Sequence, residues 1–244
     1  MSEKSSDNIK LVVMMLPGMD GTGILFKTFI RQLPRDIDIK VVTYPQDTYL
    51  TYEQLAEHVR SIAPFSTPYV VIAESYSGPV ASLLAVNPIG NLRAVIFVSS
   101  FVSLPWGRIG TWMAKILPTA LFRLRPPAWA LRWLLMDSAT SAETIVEVQD
   151  TIARISPEVM VKRLRDALTA DFSPMLRKST VRTVCLVPES DRLIGARGYQ
   201  SLVTAREDIE VVKIIGPHFL LQSSSERCFA ALQKLGLFDV GVDE

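Results

Sequence analysis

The chain has 244 residues, of which 48% are apolar and 21% charged, and its formal net charge is +1. The length and composition are typical of one globular domain, or of one domain with a sizeable insertion. The net charge lacks the large excess of basic residues that many nucleic-acid-binding proteins carry. The two cysteines, Cys185 and Cys228, are too few for a disulfide framework and lack the spacing of metal ligands.

Six short apolar runs predict buried β-strands. They are rich in valine and isoleucine at consecutive positions, which is typical of parallel strands covered on both faces. The runs cover residues 11–16, 37–44, 69–73, 94–98, 181–187 and 209–215. Helical periodicity separates most of them, over residues 24–33, 52–62, 80–86, 196–205 and 226–237. Strands that alternate with helices predict a parallel α/β sheet, which binds ligands beyond the carboxyl ends of its strands.

One interval breaks this alternation. Between about Phe101 and Met175 there is no convincing strand, only helical segments punctuated by prolines. The interval is far longer than an ordinary crossover connection. We therefore predict an α/β core formed by residues 1–100 and 176–244, with residues 101–175 inserted as a helical cap.

The first predicted strand runs into the glycine-rich stretch LPGMDGTG, residues 16–23. Three glycines and a proline in so short a loop imply unusual backbone angles and a close approach to a ligand. One interpretation is a phosphate-binding loop, because the glycines lie between a strand and a helix. Neither G-x-x-x-x-G-K-[ST] nor G-x-G-x-x-G is present, however, so the sequence gives little support to nucleotide binding.

The third predicted strand ends at a serine corner, AESYSG, residues 73–78. A sharp turn from strand to helix exposes the Ser75 hydroxyl and aims the next backbone N–H at a reacting carbonyl. The turn requires small residues two positions away on either side, and Ala73 and Ser77 meet this requirement. A serine at this position can also act simply as a helix N-cap.

These two loops resemble conserved parts of the α/β-hydrolase family. The serine corner resembles its nucleophile elbow, usually G-x-S-x-G, although both glycines are replaced here. The glycine-rich loop resembles its oxyanion loop. The resemblance implies that Ser75 is the nucleophile and that the backbone N–H groups of Met19 and Tyr76 form the oxyanion hole. The family commonly has two strands before this loop, but only ten residues precede Leu11, so we expect a reduced sheet of six parallel strands.

A base and a carboxylate are expected on the same edge of the sheet as Ser75. Of the two histidines, His218 follows the last predicted strand, whereas His58 lies in the middle of a charged helix and is expected to be solvated. The family's acid follows the next-to-last strand, where Asp191 is the better candidate and Glu189 the reserve. The order Ser75, Asp191, His218 is the one expected of this fold.

All four tryptophans lie in the first half of the predicted cap, at Trp106, Trp112, Trp129 and Trp133. Residues 101–136 also contain five lysines and arginines and no acidic residue. One interpretation is ordinary packing of aromatic faces with solvated cations. The other is an apolar acyl tunnel, lined by the tryptophans, with a basic rim suited to an acidic carrier protein or an anionic membrane surface. Carrier-protein methyl-ester esterases of biotin synthesis resemble this general plan.

Together these features predict a serine carboxylesterase that acts on a small-molecule acyl ester without a metal or an organic cofactor. Acyl transfer, thioester cleavage or carrier-protein methyl-ester cleavage would use the same residues, and a non-catalytic ligand-binding protein on this scaffold is the alternative of another class. The polar N-terminus has no signal-peptide pattern and no apolar run is long enough for a membrane span. We therefore expect a cytoplasmic protein.

Overall fold

The structure is a computed structural model that describes residues 11–104, 107–137 and 140–239. Its centre is a sheet of six parallel strands in the order β2-β1-β3-β4-β5-β6. This confirms the predicted sheet of about six strands. The strands are β1 (Leu11–Leu16), β2 (Ile37–Val41), β3 (Tyr69–Glu74), β4 (Leu92–Val98), β5 (Arg182–Pro188) and β6 (Glu210–Ile214).

Helices cover both faces of the sheet. In chain order they are α1 (Lys27–Ile30), α2 (Tyr52–Ile62), α3 (Gly78–Val86), α4 (Gly107–Ile116), α5 (Ala128–Leu135), α6 (Ala142–Ala153), α7 (Pro157–Thr169), α8 (Ser173–Lys178), α9 (Gly195–Ala205), α10 (Leu220–Ser223) and α11 (Ser225–Lys234). Short 3-10 turns cover Ile24–Phe26, Ser75–Ser77 and Thr119–Arg123.

Alternating side chains of the strands build two separate apolar layers. Along β1, Met14 and Leu16 belong to a cluster with residues of α2, α3, α8 and α9, whereas Val13 and Met15 belong to a cluster with residues of α1, α10 and α11. Successive side chains of a strand point to opposite faces, so a strand buried on both faces must be apolar at nearly every position. This explains why the inner strands β1 and β3 appear in the sequence as nearly continuous apolar runs, whereas the edge strands β2 and β6 are partly exposed and also contain charged residues.

Local sequence signals predict most helix and strand boundaries to within two or three residues of those in the structure. Helix α2 begins where Thr51 and Gln54 form a reciprocal capping box. The second strand is shorter than predicted, because the chain bends after Val41 and the N–H of Tyr44 donates to the carbonyl of Gly21 instead of continuing the ladder. The helix predicted at residues 24–33 is likewise broken into a 3-10 turn and the four-residue α1.

Residues 101–175 contain helices α4 to α7, and a single antiparallel bridge between Ser103 and Asp171 joins the two ends of this segment. Helix α4 packs on α7, and α5 on α6. Their inner residues form small apolar clusters with the core, such as Leu131, Met136 and Val148 with Leu25. Within the described ranges, no helix has both the length and the apolar character that crossing a bilayer requires.

Candidate active site

The carboxyl end of β3 turns sharply into α3 at Ser75. Its φ angle is 48°, in the left-handed region that non-glycine residues seldom adopt. A conformation of this kind costs on the order of 1–3 kcal/mol and persists only where the surroundings hold it. Ser75 is partly exposed, whereas Ala73 and Tyr76 are fully buried. The turn therefore presents the one side chain that the sequence identified as the nucleophile.

The end of β4 holds this turn from one side. Ser100 Oγ donates a hydrogen bond of 2.6 Å to the carbonyl of Ser75. Gly78, the first residue of α3, approaches so closely that a Cβ atom there would lie 2.1 Å from the carbonyl oxygen of Phe101 and 2.3 Å from Ser100 Oγ. The glycine is thus required for the close approach of the helix to this segment.

The glycine-rich loop holds the turn from the other side through Ser77. Its hydroxyl donates to the carbonyl of Pro17 at 2.5 Å and also contacts the hydroxyl of Tyr44 at 2.7 Å. Ser77 is fully buried. The small residue required by the elbow therefore has a second task, because it ties the elbow to the loop that carries Met19.

His218 connects Ser75 to Asp191. His218 Nε2 lies 3.0 Å from Ser75 Oγ, and His218 Nδ1 lies 2.7 Å from Asp191 Oδ2. The side chains of His218 and Asp191 are 2% and 1% exposed, so water is largely excluded from this bond. A carboxylate can only accept, so Nδ1–H donates to Asp191, and in a neutral imidazole Nε2 is then left to accept from Ser75. The structure thus brings together the three residues that the sequence placed at one edge.

Four donors surround the carboxylate of Asp191. Oδ1 accepts from the backbone N–H groups of Leu193 and Ile194 at 2.7 and 2.9 Å, and Oδ2 accepts from the hydroxyl of Tyr199 as well as from His218. Burial alone raises the pKa of the Asp191 carboxyl, but the hydrogen bond and charge of His218, with the bonds from Tyr199 and Ile194, lower it below its ordinary value. Asp191 is therefore a carboxylate at neutral pH.

The loop that contains Met19 is closed by its own polar groups. The N–H of Gly21 donates to the carbonyl of Gly18 at 3.1 Å, and Gly21 has a φ of 71° that favours glycine. Asp20 Oδ1 accepts from both the N–H and the hydroxyl of Thr22, at 2.9 and 2.5 Å. Met19 lies at the tip of this turn. Its backbone N–H donates to no group within the part of the chain that the structure describes.

A buried arginine from α7 anchors the same loop. Arg163 is 1% exposed, and its guanidinium donates to the carbonyls of Met19 and Pro45 at 2.8 and 2.7 Å while lying 5.8 Å from the centre of the Tyr44 ring. A Cβ atom on Gly21 would lie 2.6 Å from this guanidinium. The predicted cap segment therefore contacts the glycine-rich loop through this guanidinium, and the apolar cluster of Ile155, Val159 and Met160 packs against Met19.

Glu74, the residue before Ser75, is a buried carboxyl group that takes no part in the relay. It is 5% exposed and accepts a hydrogen bond of 2.9 Å from Gln222 Nε2. Burial raises the pKa of Glu74 to about 7; the nearby Asp20 adds to this rise, while hydrogen bonds from Gln222 and the backbone of Gly18 oppose it. Protonation of Glu74 near neutral pH thus changes the charge directly beside Ser75.

The remaining predicted candidates lie away from this relay. His58 is half-buried on α2 and contacts the carbonyl of Thr43 at 3.1 Å, and Glu189 is exposed. Within the described ranges, no three His, Cys, Asp or Glu side chains are grouped so as to hold a metal ion. Three of the tryptophans that one interpretation of the sequence places in an acyl tunnel are 58–73% exposed; they are Trp112, Trp129 and Trp133. Trp106 lies outside the described residues.

Sequence reasoning missed three side chains that support the site. Tyr199 lies on α9, eight residues after Asp191, and Gln222 lies on α10, four residues after His218, so a search for polar residues close to the relay residues in the sequence would have found both. Arg163 has no such signal, because an isolated arginine on a helix is usually solvated. Its role depends on contacts with residues more than 100 positions away in the chain.

No protein-family model matches the chain, and comparison with curated protein sequences finds no significant relative. Solved structures are similar over nearly the whole chain. A thermophilic esterase from Thermogutta terrifontis has a TM-score of 0.75 at 17% identity, covering 94% of this chain and 90% of its own. A lipase-esterase related protein from Clostridium acetobutylicum has a TM-score of 0.74 at 13% identity, covering 92% and 94%.

A bromoperoxidase from Bacillus anthracis has a TM-score of 0.70 at 17% identity, covering 94% of this chain and 92% of its own. These proteins differ in the activities that their names state, so at such low identity their likeness concerns the fold. The parallel sheet of six strands, the turn at Ser75 and the similarity to these structures lead to one conclusion: this chain has the α/β-hydrolase fold.

Proposed function

We propose that this chain is a serine hydrolase that cleaves carboxylic esters through a covalent acyl-enzyme. The observation that carries the proposal is the relay in which Ser75 Oγ lies 3.0 Å from His218 Nε2 and His218 Nδ1 lies 2.7 Å from Asp191 Oδ2. A serine activated by a base that a buried carboxylate orients is the arrangement that nucleophilic catalysis requires. The presence of esterases among the similar structures supports the same reaction class.

In the acylation step, Ser75 Oγ attacks the ester carbonyl carbon and its proton passes to His218 Nε2. Asp191 stabilises the imidazolium that forms, because its carboxylate accepts from Nδ1. The negative charge that develops on the carbonyl oxygen is received by the backbone N–H groups of Met19 and Tyr76. When the tetrahedral intermediate collapses, the C–O bond to the alcohol breaks and His218 returns the proton to the leaving oxygen.

In the deacylation step, a water molecule replaces the alcohol. His218 Nε2 accepts a proton from the water as its oxygen attacks the acyl carbon, and the same two N–H groups receive the oxyanion. Collapse of the second intermediate returns the proton to Ser75 Oγ and releases the carboxylic acid. Hydrogen bonds join Ser100 to Ser75, Arg163 to Met19, and Ser77 to Pro17. These bonds hold the nucleophile and the oxyanion donors in fixed positions through both steps.

Labelling with a fluorophosphonate probe tests the nucleophile directly. We expect the native protein to be labelled at Ser75, and His218→Ala to lose labelling while it remains folded. Ser66→Ala, which removes an exposed serine remote from the relay, is the matched control and should label normally. A native protein that stays unlabelled would favour a non-catalytic ligand-binding protein on this scaffold.

Hydrolysis of a p-nitrophenyl ester series from acetate to palmitate tests the substrate class. We expect turnover in Ser75→Ala to fall by about three orders of magnitude or more. Product analysis with an added alcohol or thiol separates hydrolysis from acyl transfer, since both pass through the same acyl-enzyme. Release of free acid in the presence of the acceptor supports the hydrolase, whereas exclusive acyl transfer contradicts it.

A further inference from the structure

Helix α4 turns its apolar face to the solvent. Ile109, Trp112, Met113 and Ile116 follow the 3–4 spacing of one helix face, and they are 63%, 61%, 36% and 56% exposed. The opposite face, which includes the buried Ala114, packs on α7. A surface helix of a globular protein normally buries its apolar stripe and exposes its polar one. In α4 the large apolar side chains are exposed, and the buried positions are the small residues Gly110 and Ala114.

Helix α5 repeats the pattern a few residues later. Trp129 and Trp133, one helical turn apart, are 73% and 58% exposed, and Leu124 in the preceding turn is 72% exposed. Leu131, on the other face of α5, is buried. Seven of the fifteen exposed large apolar side chains in the described residues thus lie between Ile109 and Trp133. A group of exposed apolar side chains marks an interaction surface, and α4 and α5 each carry one.

The charges of this stretch indicate what it contacts. It contains cations but no acidic residue from position 101 to 136. Arg125 pairs with Asp150 at 2.5 Å and Arg123 lies 3.8 Å from Glu158. Lys115 and Arg132, by contrast, have no carboxylate within ion-pair distance in the described part of the chain. Lys115 is exposed, and the half-buried Arg132 donates to the carbonyl of Thr140 at 3.2 Å.

Among the occupants of such a surface, an anionic bilayer fits best. Tryptophan and long aliphatic side chains insert at the boundary between headgroups and acyl chains, and unpaired cations bind anionic headgroups. A second copy of the chain in a two-fold dimer would face this surface with the same stretch, which has no acidic residue to pair with Lys115 and Arg132. An acidic protein partner would also pair with the cations, and the capture experiment below distinguishes it from a bilayer.

Two contacts link this surface to the candidate active site. The carbonyl of Leu135, at the end of α5, accepts from the N–H of Phe219, the residue after His218, at 2.8 Å. The guanidinium of Arg192, the residue after Asp191, donates to the carbonyl of Trp133 at 3.0 Å. It also lies over the indole ring of Trp133, 5.5 Å from the ring centre. Helix α5 is therefore fastened to the loops that carry both the base and the acid.

We infer that the exposed faces of α4 and α5 dock the protein on the surface of an anionic lipid bilayer. The seven apolar side chains enter the interface, Lys115 and Arg132 contact the headgroups, and α5 holds the active-site loops beside the lipid. Binding of this kind is peripheral and reversible, and it does not require the hydrolase activity proposed above. The two proposals can therefore fail independently.

Co-sedimentation of the full chain with vesicles tests the inference. We expect binding to phosphatidylcholine vesicles that contain about 30 mol % phosphatidylglycerol to be at least about tenfold tighter than binding to pure phosphatidylcholine, because each unpaired cation contributes near an anionic surface. Added salt should weaken the binding by screening. Equal binding to both kinds of vesicle, or to neither, overturns the inference.

Paired variants locate the docking surface. Trp112→Gln with Ile116→Gln should weaken vesicle binding about tenfold or more, since both apolar side chains leave the interface. The matched control is Ile62→Gln with Phe65→Gln, two side chains 39% and 82% exposed on and just after α2, and it should bind normally. Lys115→Gln with Arg132→Gln should reduce the preference for phosphatidylglycerol. Unchanged binding in both test variants overturns the inference.

A second measurement does not depend on variants. Tryptophan fluorescence of the native protein should be quenched by lipids brominated on their acyl chains, because the exposed tryptophans enter the interface. Full fluorescence in the presence of brominated vesicles contradicts docking. Formation of a dimer through these residues, or capture of purified acyl carrier protein without vesicle binding, would likewise assign the surface to another partner.

Discussion

Replacing Glu74 with glutamine is expected to remove a pH dependence from the stability of the protein. The side chain is 5% exposed, and burial raises its pKa to about 7 from an ordinary value of 4.5. Between these pH values the folded protein holds a proton that the unfolded chain has released. The stabilisation linked to this proton is complete below pH 4.5 and is lost as the pH rises to about 7.

The magnitude follows from the two pKa values. A rise from 4.5 to about 7 corresponds to about 3 kcal/mol of unfolding free energy. Glutamine at position 74 has nearly the same shape, carries no charge at any pH and keeps an acceptor for Gln222 Nε2. The variant should therefore be about as stable as the native protein at pH 5 and up to about 3 kcal/mol more stable at pH 8.

Urea unfolding of both proteins at pH 5 and pH 8 measures this difference. The other titrating groups are common to both proteins, so their contributions cancel in the comparison. Glu189→Gln, which removes an exposed carboxylate near the site, is the matched control and should behave like the native protein at both pH values. If the native protein and Glu74→Gln lose the same stability between pH 5 and pH 8, the buried carboxyl does not titrate in this range.

Three further substitutions test the supports of the site. Tyr199→Phe removes one hydrogen-bond donor from the Asp191 carboxylate. We expect urea unfolding at neutral pH to show a loss of about 2 kcal/mol in unfolding free energy, and ester hydrolysis to show turnover lower by about tenfold. Gly78→Ala places a methyl group 2.1 Å from a carbonyl oxygen and should cost about 2 kcal/mol or more in thermal unfolding. Arg163→Met removes the donor to the carbonyl of Met19, so the loop that carries Met19 loses a support. In ester hydrolysis we expect kcat to fall about tenfold or more with little change in KM. An unchanged kcat would show that the arginine does not position this loop.

Much of the fold could be predicted because its signals are local. A parallel strand buried on both faces must be apolar at nearly every position, so β1 and β3 are visible as nearly continuous runs of apolar residues. The meeting of Ser75, Asp191 and His218 follows from the same pattern. Each of them comes shortly after its own parallel strand, and parallel strands end at one edge of the sheet.

Other contacts depend on how distant elements pack together. Arg163 reads in the sequence as one more cation on a polar helix, and only the packing of α7 against the glycine-rich loop brings its guanidinium to the carbonyl of Met19. The buried Glu74 acquires its raised pKa in the same way, from segments that enclose it in the folded protein. No spacing within either segment encodes these neighbours.

The sequence by itself determined the strands, the strand-end positions of the relay residues and the amphipathic character of α4. It could not determine which way α4 faces, because helical periodicity is the same whether an apolar stripe points to the core or to the solvent. Both interpretations of Trp112, packing on the core or lining an acyl tunnel, place it inside the protein, yet it is 61% exposed. Only the packing of the opposite face on α7 decided its direction, since the orientation of a helix depends on the surfaces it meets rather than on its own residues.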